Sequence, residues 1–143
     1  MAKVLSYTGR YASLIGYDPK STTSGRVPIV TALLKVRSSS VGNHPVLLKI
    51  HEAPINEKSP ITLLSEYQIR EHGLVIDSVA RKHKSIHGKS GTQCFCVSSE
   101  VFVDFEDRGG LLGFELLPFE EGDEDRYDVL TITGPLRWTP RKF

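Results

Sequence analysis

Four side chains that commonly ligate metals fall close together: His83, His87, Cys94 and Cys96, spaced His-x3-His, six residues, then Cys-x-Cys. Two imidazoles and two thiolates suit tetrahedral zinc. The spacing is not that of a zinc finger, and Cys-x-Cys is a narrow bite. The simpler alternative is packed cysteines beside solvated histidines. Around them runs a basic loop, Arg81-Lys82-His83-Lys84 with His87 and Lys89. Local positive charge attracts phosphate, but no aromatic side chain is interleaved for stacking, so a solvated loop is expected and nucleic acid is not. Glu120-Glu121-Gly122-Asp123-Glu124-Asp125 is acidic enough to suggest calcium, yet lacks the ligand order of an EF-hand loop, and a solvated turn is expected. There is no Gly-x-Ser-x-Gly. Gly109-Gly110-Leu111-Leu112-Gly113 is not followed by Lys-Ser/Thr, so it reads as a tight turn into a strand and not as a P-loop.

These residues sit in a chain of 143 residues with 39% hydrophobic and 24% charged residues and a net charge of +1. That length fits one domain with its own core. The near-zero charge gives no global pull toward nucleic acid or an anionic membrane. Two cysteines make no disulfide framework, so a reducing compartment is the default. No apolar run has the length of a membrane span, and Met1-Ala2-Lys3-Val4-Leu5-Ser6 has no signal-peptide core. The expected setting is intracellular, cytoplasmic or nuclear, with no membrane partner.

The elements that must position these groups are mostly strands. Val4–Tyr7 and Tyr11–Tyr17 read as two strands about a turn at Thr8-Gly9. Val27–Val36 is a long β-branched run with Pro28 near its start. Pro45–His51 follows after a loop. Both runs are near-continuously apolar, which implies burial on both faces. A helix is then expected over about 61–72. Ser59 is its N-cap and Pro60 its first residue. Leu63, Leu64 and Tyr67 share a face that omits Ile69, and Gly73 ends it. Glu66 and Arg70, spaced i,i+4, add roughly 0.2–0.5 kcal/mol. Leu74–Val79, Gln93–Val97, Val101–Phe105, Leu111–Leu117 and Val129–Thr133 read as further strands. The expected organisation is one β domain over 1–133 and an extended tail over 134–143, with Trp138 as a packing anchor.

The run Leu63-Leu64-Ser65, then Gln68-Ile69, Gly73 and the apolar Leu74-Val75-Ile76 resembles the closing segment of the protease region in Copia-like retroelement polyproteins. Leu5-Ser6-Tyr7-Thr8-Gly9-Arg10, Val27-Pro28-Ile29-Val30-Thr31-Ala32, Val46 to Ala53, and Asp128-Val129-Leu130-Thr131 with Pro135 and Trp138-Thr139-Pro140 resemble other segments of that region, in the same order. The resemblance implies a retropepsin-like fold, a small closed or partly open barrel with one short helix. In active members each subunit of a dimer supplies one aspartate, and the two carboxylates share a proton because both cannot ionise side by side. That aspartate lies in Asp-Ser-Gly, Asp-Thr-Gly or a variant, just before the segment resembling Leu5–Arg10.

Here Met1-Ala2-Lys3-Val4 stands in its place. None of the seven aspartates is followed by Ser-Gly or Thr-Gly, and Asp77-Ser78-Val79, the nearest approach, puts valine where the active-site turn needs glycine. No catalytic residue carries over. The expected function is that of a retroelement-derived domain without a competent catalytic motif. Such a domain would bind or self-associate through an unpaired β edge, as a homodimer or with an added strand. The alternatives are a fragment of an active protease whose catalytic strand lies upstream of Met1, and a small zinc-binding β domain. No cofactor other than that zinc is expected.

Overall fold

The computed structural model describes residues 2–13, 26–40, 42–56, 62, 64–78, 93–109 and 111–137. They are mostly β. β1 (Lys3–Ser13), β2 (Arg26–Arg37) and β3 (Pro45–Pro54) form an antiparallel meander, and a last short strand, β9 (Val129–Thr131), adds in parallel beside β3. β4 (Val75–Ile76), β5 (Cys94–Cys96) and β6 (Phe102–Asp104) make a second sheet, and β7 (Glu106–Arg108) with β8 (Leu111–Gly113) a hairpin. Two short helices, α1 (Glu66–Glu71) and α2 (Asp123–Arg126), complete the chain. Among the described residues the strands do not close into a barrel.

β2 and β3 are long because their residues suit a strand covered on both faces: branched aliphatics with few breakers. On one face Leu34, Val36, Val46, Leu48 and Ile50 meet Ile69 of α1, Phe95 of β5, Val103 of β6, and Val97 and Ile132. On the other, Leu33, Lys35 and Leu47 are buried as well. The segment after β8 covers that face. Leu116 bridges to Val36, Leu117 N donates to Lys35 O at 2.7 Å, Leu47 N to Asp128 O at 2.9 Å, and Ile132 N to Lys49 O at 2.9 Å. Lys35 Nζ, near the end of β2, donates to Asp123 Oδ2 at 2.9 Å, with both side chains under 10% exposed. Its ammonium lies 5.2 Å from the Tyr127 ring centroid, within cation–π range.

Several sequence expectations are corrected. Thr8-Gly9 is not a turn between two strands. β1 runs through it, with a register irregularity between Tyr7 and Tyr11. Gly9 takes φ 82°, open to glycine, so the extra residues are absorbed within the strand. The helix starts five residues later than the expected Ile61, at Glu66. Ser65 is its cap, accepting from Gln68 N at 3.2 Å. Ser65-x-x-Gln68 has capping-box spacing, a stronger local signal than Ser59-Pro60. The helix buries Ile69 and leaves Tyr67 58% exposed, against the expected face, although Leu64 before it packs against the core as expected. Gly73, at φ 91°, ends it as expected. The acidic loop is not wholly solvated, because Asp123 turns inward to Lys35 and the chain winds one helical turn there.

Asp123 also accepts from Glu120 N at 2.7 Å. This backbone bond, then Lys35, holds its carboxyl below the ordinary carboxylate range despite burial. Since the folded-state value is depressed, this contribution to stability is complete above the ordinary carboxylate value. It is lost as pH falls through the depressed one. Asp123→Asn should therefore remove part of the acid limb of a stability–pH profile. At neutral pH it should lower the denaturation midpoint by roughly 10 °C, because Lys35 is left buried and unpaired. Thermal melts of both proteins from neutral to acidic pH check this, and parallel profiles would count against it.

Candidate functional site

Alternation along β5 separates packing from chemistry. Phe95 is 1% exposed and points into the core. Cys94 and Cys96 point to the opposite face, half-buried, with Sγ atoms 3.8 Å apart and no disulfide. In the flanking strands Asp104 stands opposite Cys94, and Val75 and Phe102 opposite Cys96. Asp77 closes this end, its N–H donating to Cys94 O at 2.9 Å. Burial pushes the Cys96 thiol up, and the neighbouring Cys94 and the Asp77 charge push it further. The face therefore disfavours two adjacent thiolates with nothing between them. His83 and His87, with the basic loop, lie outside the described residues. Among the described residues no three His, Cys, Asp or Glu side chains are gathered tightly enough to hold a metal. Of the expected quartet, the structure brings together the cysteine pair.

A second constellation was not legible in the sequence. Where β2 and β3 slip register between Val30 and Ala32, His51 and Glu52 together face Thr31, a β-bulge. Glu52 takes φ 55°, a left-handed conformation uncommon outside glycine. Its buried carboxylate accepts from Arg10 Nη2 of β1 at both oxygens, 2.6 Å each. His51 Nδ1 lies 3.3 Å from Thr31 Oγ1. Thr133 Oγ1 accepts from His51 N at 2.7 Å and donates to His51 O at 2.9 Å. Burial, then the charges of Lys49 and His72, hold the His51 imidazole below its ordinary value. Beside Glu52 lies a cavity of about 180 Å³, lined also by Gln68, Glu71 and His72 of the helix end and by Gly134, Leu136 and Arg137 of the tail. No periodicity announces an Arg10–Glu52 pair. The one available signal is two opposite charges set within strand-forming runs.

The outer edge of β1 is the third feature. Among the described residues no strand pairs with it there. Leu5, Tyr7 and Tyr11 are 39%, 63% and 55% exposed. Both cations of the strand are engaged within the chain, Lys3 by Glu124 and Arg10 by Glu52. Val4–Gly9 is thus an edge without charge.

No family model, no curated protein and no solved structure matches the chain. No helix among the described residues is long and apolar enough to cross a membrane.

The Glu52 geometry carries its own expectation. Arg10→Ala strips the buried carboxylate of both charge-assisted bonds and should cost roughly 1–3 kcal/mol. Urea denaturation would show this as a lower midpoint with an unchanged slope. An unmoved midpoint would mean that Glu52 is satisfied without Arg10.

Proposed function

We propose that this chain is a retroelement-derived, retropepsin-like domain without a competent catalytic aspartate motif, and that it works by self-association through the edge of β1, pairing with a second copy of itself. The observation that carries the reading is the charge-free stretch Val4–Gly9 with Leu5 and Tyr7 outward. Soluble β proteins guard free edges with lysine, proline or inward charges, and this stretch has none available. An antiparallel pair about a two-fold axis matches an edge with its own copy, so one sequence supplies both partners.

The family half of the proposal is supported by the resemblance of the Leu63–Ile76 run. It is also consistent with a mostly β chain in which a long strand, a short helix and an apolar strand follow in order as β3, α1 and β4. In that reading the domain is a partly open barrel in which β1 offers the unpaired side. The two cysteines, free of any disulfide, fit a reducing, intracellular setting.

Sedimentation velocity across micromolar concentrations should show a monomer–dimer equilibrium. Leu5→Lys with Tyr7→Lys, which sets like charges against each other across the two-fold, should weaken it by at least about tenfold. A monomer at all concentrations would remove the self-association reading. Pepstatin-sensitive peptide cleavage at acidic pH by the purified chain would remove the non-catalytic one.

A further inference from the structure

We propose that Cys94 and Cys96 form a two-thiolate chelate for a soft divalent cation of the zinc or cadmium class, with solvent completing the coordination shell. The inference is independent of self-association through β1, which lies in a different sheet.

In tetrahedral thiolate zinc, Zn–S bonds of about 2.3 Å at the tetrahedral angle place two sulfurs about 3.8 Å from each other. The two Sγ atoms stand at 3.8 Å, which is that chelating separation. A disulfide is the competing use of the pair. Residues two apart in an extended strand have Cα atoms roughly 6.6 Å apart, at the long end of what a disulfide spans, and the sulfurs must close to about 2.05 Å. β5 is held by ladders on both sides, which resists the shortening. The pair is therefore better built to grip an ion than to bond to itself.

The surroundings select charge. Asp104 lies opposite Cys94 on the same face, and Asp77 stands beside the pair, its N–H donating to Cys94 O at 2.9 Å. Both carboxylates favour a cation. Phe95, pointing the other way into the core, fixes the strand. Because Val75 is 60% exposed and Phe102 38% exposed at the rim of this face, an ion and its waters have access. Binding is a proton exchange: the cation forms two metal–sulfur bonds, two thiol protons leave to solvent, and no electron is transferred.

The test uses the full chain, reduced and freed of reductant, titrated with Cd²⁺ alone and separately with Co²⁺ alone. The expected result is a thiolate-to-metal charge-transfer band saturating at one ion per chain, with both cysteines protected from alkylation at saturation. Cys94→Ser and Cys96→Ser are near-isosteric at half-buried sites and should keep the wild-type circular dichroism. Each should weaken binding by at least about tenfold, and the double variant should abolish the band. Alkylation protection on the unmutated chain supplies a reading that does not depend on any variant folding. Absence of a band at millimolar metal would overturn the proposal, as would a band that survives in the double variant or air oxidation to a disulfide without metal uptake. Loss of the band in His83→Gln, His87→Gln would replace the two-thiolate chelate by the four-ligand site.

Discussion

A buried ammonium near the end of β2, an inner strand, organises the larger sheet. Lys35 sits between Leu34 and Val36, both at or below 1% exposure, and opposite Leu47 on β3. At that depth a charge without a partner is not tolerated, so whatever covers this face must bring a carboxylate to it. Asp123 is that group. It is delivered by a single helical turn and held by the Glu120 N–H as well as by Lys35. Once it is in place, the chain on either side has little freedom. Leu117 pairs with the Lys35 carbonyl before it, and Asp128 receives Leu47 N after it, which starts β9 in parallel beside β3. The ion pair is weak evidence for added stability, since apolar residues of equal volume do as well in many cores. Its effect is on arrangement, because it admits only one placement of residues 117–131 over the sheet.

Arg10 and Glu52 repeat the device at the other end of the sheet, with a different outcome. Here the pair joins two strands of the sheet, β1 to β3 across β2. Here the carboxylate reaches its partner through a β-bulge and a left-handed residue, a conformation that persists only when the surroundings over-determine it. The bidentate contact, the Thr133 bonds to the His51 backbone and the ladder on either side supply that determination. One consequence is a cavity beside Glu52 at the junction of helix end and tail. Another is that β1 has used both of its cations internally, Arg10 here and Lys3 on Glu124. The edge is left uncharged by the same contacts that hold the strand to the sheet.

The elements set by short-range pattern were legible. The apolar runs of β2 and β3, Pro45 as a strand start, Gly73 as a helix end and the glycine turn before β8 need only neighbours to explain them. What was missed required comparing local signals or seeing across the chain. Ser59-Pro60 and Ser65-x-x-Gln68 both announce a helix start, and the second prevails because its cap is completed by Gln68 N. Gly9 can turn a chain or be absorbed in a strand, and its partner β2, opposite on both sides of it, decides for the strand. Ile69 is buried because β5 and β3 lie above it, which helical periodicity alone does not contain. Lys35 with Asp123 and Arg10 with Glu52 are separated by 88 and 42 residues, and no window of sequence holds both members.

β5 shows how three residues divide structure from function. Phe95 commits its face of the strand to the core, and the period of two then forces Cys94 and Cys96 outward together. Their common face is thus set by the backbone, and the χ1 rotamers then set the distance between the sulfurs. The carboxylates near them come from elsewhere: Asp104 is set by its pairing with β5, and Asp77 by the turn that leaves β4. Arg70 holds that turn from α1 through the Ile76 carbonyl. Shifting the helix by one residue would move the Arg70 fork, the end of β4 and the position of Asp77 relative to the sulfurs. The capping choice at Ser65, which places the helix, therefore also sets the charge beside the cysteine pair.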